Sequence, residues 1–332
     1  MPAVAPRQLV SAITNALEES GCAATLASGL QSQPRHFVIV GQNVPDSLSI
    51  YAWSLTHGGR PSLPNEYRIQ MTSVKSPLSI SPSGPTILIG YDAARNLFAG
   101  FDIRRHERFT TGSPSVQIDI TELRRAETDG LSFHRKSNDE IAIGIRPDMF
   151  MAYAMNATLL HRYGRDANIR RLLDQAVVEQ PIRQSQLQAL PAERQRIVAE
   201  VSRLSRDARF KRQVLFAYGN RCAVTRVQLR LVDAAHILPV GAPGSSDHVT
   251  NGLALSPTYH RAFDAGLIYL DEHCAMKLNE GRLSMLRTLN LATGIESFAE
   301  PLGQEVYLPP DPGQRPSPDL IRRANEFRQI AA

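Results

Sequence analysis

Cysteine is scarce in this chain: three in 332 residues, at positions 22, 222 and 274, spaced too widely for a disulfide framework or a paired CxxC zinc site. No apolar run approaches the ~18–20 residues of a membrane span. The first twenty residues, MPAVAPRQLVSAITNALEES, lack a basic start, an unbroken apolar stretch and a cleavage site. No GxxxxGK[ST] occurs, which excludes a P-loop NTPase. Internal repeats and low-complexity tracts are missing too. These absences predict a cytoplasmic protein with no membrane partner.

What is present is ordinary globular chemistry, with 42% hydrophobic and 21% charged residues. The length suggests about two domains at ~150 residues each. The formal charge is +5, but its location says more than its size. Between Leu160 and Arg212 stand twelve basic residues against six acidic ones, and eleven of the twelve are arginine. Arginine's planar fork suits phosphate oxygens better than lysine's point charge does, so a polyanion is one natural partner. A solvated helical connector explains the same composition equally well.

Along the chain, residues 7–19 space their apolar positions like an amphipathic helix closed by Gly21. Strands are expected at 36–40, 48–54 and 67–72, broken by turn clusters such as HGGRPSLPN. A hairpin is expected from 86–90 and 97–103 around DAARN, with further strands at 116–120 and 140–145. Pro147 and Asp148 then open a long helix stopped by Gly164. The expected fold class is α+β. Residues 1–165 form a mainly antiparallel sheet domain with helices, and 166–204 a helical Arg-rich connector broken at Pro181 and Pro191. Residues 205–332 form a second domain, with a short strand at 305–308, a proline-rich turn and a helix at 320–329. Trp53, Tyr51, Phe98 and Phe101 read as core or sheet-face residues, with an aromatic pocket for a flipped base as the lesser alternative.

The informative segment runs from Tyr218 to Leu270. A strand is expected at 229–237, carrying His236 near its end. A polar loop follows, then Asn251-Gly252 as a tight-turn pair and a strand at 253–255. Ser256 at an N-cap and Pro257 at the first helical position start a helix that stops at Gly266. His260 and Asp264 lie four apart and share one face of it. If that helix packs across the strands, His236 can face His260, with Asn251 beside the cleft. Cys222 reads as a packed thiol and His248 as a surface residue.

With DAAHI, TNGLALS and HRAFDAGL in this order, residues 205–330 resemble the HNH endonuclease family of the ββα-metal superfamily, and His236, Asn251 and His260 stand at its signature positions. The resemblance implies phosphodiester hydrolysis of double-stranded DNA with one divalent ion per site, Mg²⁺ or Mn²⁺. It implies His236 as general base, and His260 as metal ligand. Asn251 would fix the loop or orient His236. Arg206, Arg209, Lys211, Arg212, Arg221 and Arg261 would position the phosphate backbone. One position departs from many relatives: Ala235 stands where an acidic ligand often precedes the catalytic histidine. Asp264, one turn from His260, is the better second-ligand candidate. Asp233 ranks below it, because a short side chain cannot span the ~6.5–7 Å along the strand to position 235.

The architecture resembles restriction enzymes, including those that recognise modified bases, with the first domain reading DNA and the second cutting it. A duplex has two strands, which favours a homodimer. Two alternatives follow: a phage-defence effector whose first domain senses an activator or partner, or a DNA-binding protein with a decayed nuclease fold.

Overall fold

In the computed structural model, which describes residues 4–41, 43–110 and 114–330, the first amphipathic segment forms α1 (Pro6–Glu19). It has proline in its first turn and buries Leu9, Ala12, Ile13, Ala16 and Leu17 along one face. Next come β1 (Ala23–Leu26), β2 (Arg35–Val40), β3 (Ser47–Ser54), β4 (Thr56–His57), β5 (Glu66–Gln70), β6 (Thr86–Asp92) and β7 (Leu97–Phe101). A one-turn α2 (Ile103–His106) precedes β8 (Ser115–Asp119), α3 (Ile120–Asp129), β9 (Leu131–Arg135) and β10 (Ile141–Ile145). The main sheet is ordered β1-β2-β3-β6-β7-β10-β9, and among the described residues only β3–β6 pairs in parallel. A parallel pair needs a crossover. Here the crossover leaves the sheet to lay down β4 and β5 of a second sheet, β4-β5-β8.

Burial follows position in the sheet. β2 alternates buried and exposed residues, while β7 and β10 are buried at every position. Tyr51, Phe98 and Phe101 are core residues, and Trp53 is half-buried with its indole N–H donated to the Thr72 carbonyl. The aromatic-pocket alternative therefore finds no support in these four. The expected strand at 97–103 stops at Phe101, because Asp102 caps the amide of Arg104 and starts α2.

A short 3-10 turn at Pro147–Met149 leads into α4 (Phe150–Tyr163), followed by α5 (Ala167–Val177), α6 (Gln184–Gln188) and α7 (Ala192–Ala217). Pro181 and Pro191 fall between these last three helices, which is where a missing amide and a ring clash end a helical run. The chain divides into two compact units, Met1–Arg206 and Asp207–Ala332, so the boundary lies inside α7. The stretch 166–204, expected as a connector, is thus part of the first unit. α5 buries Ile169, Leu172, Leu173, Ala176 and Val177, and several arginines are engaged locally. Arg194 pairs with Asp166 and Arg203 with Glu200, while Arg170 donates to the Gly164 carbonyl. Among the described residues no helix is long and apolar enough to cross a membrane.

The second unit places β11 (Asp233–His236) antiparallel to β12 (Gly252–Leu255), with α8 (Pro257–Asp264) next in the chain. β13 (Ile268–Leu270) and β14 (Met276–Leu278) form a hairpin, followed by α9 (Glu280–Thr288), α10 (Ile295–Ala299) and α11 (Pro318–Phe327). Phe210, Val214, Tyr218, Leu253, Phe263 and Ile321 belong to one buried core. Two expectations change here. Residues 229–232 are not strand: Leu229 and Arg230 take left-handed φ of 45° and 54°, and the Leu231 amide closes a turn on the Gln228 carbonyl. Residues 305–308 are not a strand either, but a single bridge from Glu305 to Ala275.

Candidate active site

β11 delivers His236 at its last position, opposite Gly252. The imidazole is held on two sides. Its Nε2 lies 3.0 Å from Asp247 Oδ1, and its ring stacks on Phe210 with centroids 3.8 Å apart and planes within 13°. Asp247 comes from the polar loop between β11 and β12, Phe210 from α7. With Nε2–H donated to the carboxylate, Nδ1 carries the free lone pair. The side chain keeps 18% of its surface exposed, so water can reach it.

Asn251 acts on the loop. Fully buried, it accepts from the Leu238 amide at 2.9 Å and donates to the carbonyls of Leu238 (3.1 Å) and Ser246 (2.8 Å) and to Ser245 Oγ (3.3 Å). One amide thus closes the 238–246 loop on itself, and no bond to His236 is made through its carbonyl. The expected Asn251-Gly252 tight turn is instead the end of a 3-10 turn, and Gly252 is ordinary strand with φ −118°. Glycine is needed there for space. A Cβ would sit 2.2 Å from Val214 Cγ2.

On α8, His260 is flanked by two carboxylates, Asp264 Oδ2 at 3.3 Å from Nε2 and Asp233 Oδ2 at 4.0 Å from Nδ1. Asp233, then Asp264, raise the His260 pKa to about 9 against the opposing effect of burial. His260 and the nearby Lys211 charge in turn lower that of Asp233. The carboxylate need not extend to Ala235, because His260 on α8 comes to Asp233 itself. His236 and His260 each have their own acid partners, Asp247 for the first and Asp233 with Asp264 for the second.

Among the described residues no group of three or more His, Cys, Asp and Glu is disposed to hold a metal ion. His260 and its carboxylates offer a smaller set. Ligands ~2.1 Å from a divalent ion stand about 3–4 Å apart, the range of both His260–carboxylate spacings. The two acids lie at different ring nitrogens, so one ion would take His260 and one of them, with water and phosphate completing the shell. Within that limit the donors fit a hard divalent cation.

Of the sequence-predicted basic residues, Arg206 closes the first unit and the others belong to the second. Arg206, Arg209, Lys211 and Arg212 lie on α7, with Arg206 and Arg212 exposed; Arg221 and Arg261 are exposed on the following turn and on α8. Cys222 is a buried thiol accepting from the Ser256 amide, and exposed His248 caps the 3-10 turn at Val249–Asn251. Ser256 caps nothing with its hydroxyl. Asp247, Phe210 and Arg328 escaped the sequence reading. Arg328 on the turn after α11 lies over the Phe263 ring at 4.5 Å and donates 2.7 Å to the carbonyl of Ile237, the residue after His236. A hydrophilic loop offered no signal for choosing Asp247 over its neighbours, and Arg328 lies 91 residues from its acceptor.

Residues 222–271 match the model of a family described as HNH endonuclease, and residues 46–154 match that of Methylase-associated X1. No curated protein matches the chain. Among solved structures, "Modification dependent TagI restriction endonuclease" is similar at 14% identity over 95% of this chain and 90% of that one. Its TM-score of 0.27 is too low to carry an argument.

Proposed function

We propose, from the HNH endonuclease domain that the second unit carries, that the chain is a metal-dependent restriction endonuclease whose first unit reads the DNA. The observation that carries this reading is the pair of differently furnished imidazoles on β11 and α8. His236 is poised as a base, oriented by Asp247 and Phe210, with Nδ1 as the atom that takes the proton from the attacking water. His260, with Asp233 or Asp264, would hold the divalent ion, Mg²⁺ or Mn²⁺. A bound ion of this kind stabilises charge developing on the phosphate and leaving oxygen. Asn251 keeps the intervening loop shut, so that Asp247 stays against His236. Arg206, Arg209, Lys211, Arg212, Arg221 and Arg261 position the phosphate backbone.

One catalytic set per chain serves one strand, so double-strand cleavage calls for two copies. The reading further places the protein in the cytoplasm, in defence against phage DNA. The alternative, a first unit that senses an activator or partner, leaves the same nuclease centre in place. Incubation with modified and unmodified plasmid in Mg²⁺ or Mn²⁺, followed by sequencing of the ends, separates the two. Discrete ends support a reader; indiscriminate degradation that appears only with an added activator supports a sensor. No cleavage of any DNA by the intact chain refutes both.

A further inference from the structure

The loop leading into β11 exposes apolar side chains that the core does not claim. Leu229 is 77% exposed, Leu231 55% and Val227 40%, whereas Val232, the next residue, is buried. A single exposed leucine is ordinary; three exposed apolar residues within one five-residue stretch are not. The loop is also fixed in shape. The Cys222 amide donates to the Val227 carbonyl at 2.9 Å, the Arg226 amide to Cys222 at 2.9 Å, and the Gln228 side chain to the Gly219 carbonyl at 2.8 Å. Arg226, Leu229 and Arg230 all hold left-handed φ, which disfavours side chains with a Cβ.

Charge selects the occupant. From Gln213 to Val232 the chain carries three arginines, at 221, 226 and 230, and no acid. The Arg226 guanidinium is held over the Tyr307 ring at 5.0 Å. The loop then runs directly into Asp233, one of the two carboxylates beside His260. A second copy of the chain would bring the same arginines face to face. A duplex offers phosphates to the arginines and stacked bases to the leucine.

We propose that this loop is an apolar wedge that enters the minor groove of the substrate, with Leu229 at its tip and the flanking arginines against the phosphates. The inference rests on the nuclease reading above and adds how the duplex is gripped beside the cleavage centre. Wedge insertion partly unstacks a base step, which a 2-aminopurine placed in the duplex reports as a rise in fluorescence.

The test uses full-length His236→Ala protein, silenced for cleavage, titrated into a 2-aminopurine duplex. Adding Leu229→Ser weakens binding about tenfold, the worth of one buried leucine side chain, and removes the fluorescence rise. Leu229→Met keeps both. Arg226→Gln weakens binding to all sequences alike and lowers the salt slope by about one. Unchanged affinity and fluorescence for Leu229→Ser overturn the wedge. So does a dimer-to-monomer shift on sedimentation with DNA affinity intact, which would assign the patch to a second copy. Plasmid cleavage by otherwise unaltered Leu229→Ser protein runs alongside. If the unsubstituted chain neither binds nor cuts DNA, the nuclease reading falls and takes the wedge with it. If it cuts and Leu229→Ser binds equally well, only the wedge falls.

Discussion

Each unit brings a carboxylate, a histidine and a lysine together, and the two trios differ in their access to solvent. In the first unit Glu140 is sealed, 1% exposed, with His106 Nε2 at 2.5 Å and Lys136 Nζ at 2.6 Å. Burial alone would raise its pKa; the two hydrogen bonds overcome that and hold it down to about 2. In the second unit Asp233 stands near His260 and Lys211 with 46% of its side chain exposed. The residue types are alike. The sealed trio has each charge answered inside the protein, while the open one faces solvent. Access to solvent, and not composition, separates the two trios.

The largest expected effect falls on the open site. His260→Ala, or chelation of divalent ions with EDTA, lowers cleavage by at least ~10³-fold, read on supercoiled plasmid. His260→Ala should leave the circular dichroism spectrum unchanged. Asp247→Asn keeps the loop but weakens the hold on His236, and costs about 10²-fold in kcat with KM unaltered. A rise in KM alone would instead make Asp247 a substrate contact.

The sealed trio should answer in stability. Glu140→Gln removes the buried charge that His106 and Lys136 hold and lowers the stability of the first unit by roughly 3 kcal/mol near neutral pH, from the pKa difference. That contribution is fully present above pH ~4.5, the ordinary carboxyl value, and is lost as pH falls toward about 2. The unsubstituted protein should therefore lose more stability over that range than Glu140→Gln, as followed by urea unfolding. Cleavage by Glu140→Gln at low temperature should match the parent; if it does not, the sealed trio is tied to function after all. The smallest effect is expected from the choice of acid at His260. Asp233→Asn and Asp264→Asn each raise the Mg²⁺ needed for half-maximal cleavage, about tenfold for the ligand and less for its neighbour.

The ββα segment was legible because its parts are local. Residues 233–264 carry strand, strand and helix in order, and His260 and Asp264 meet by helical spacing alone. What lay outside local spacing was not legible. Asp247 reaches His236 by the path of a polar loop, and Arg328 reaches the Ile237 carbonyl from the far end of the chain. The nearness of Asp233 to His260 was not legible, because strand geometry gives distances along β11 but not the place where α8 crosses it. In the first unit α1 and most strands followed from periodicity, whereas α3, with only Ile120, Leu123 and Ala126 buried, left too weak a stripe to read. The parallel β3–β6 pairing depends on where the crossover goes, which no local pattern encodes.

The most direct measurement compares the intact chain with His236→Ala on the same plasmid in Mg²⁺ or Mn²⁺, with both proteins shown to be folded and to bind the DNA. The account predicts nicked and linear product from the intact chain and essentially none from His236→Ala. Equal cleavage by the two, or equal inertness on every DNA tried, would contradict it.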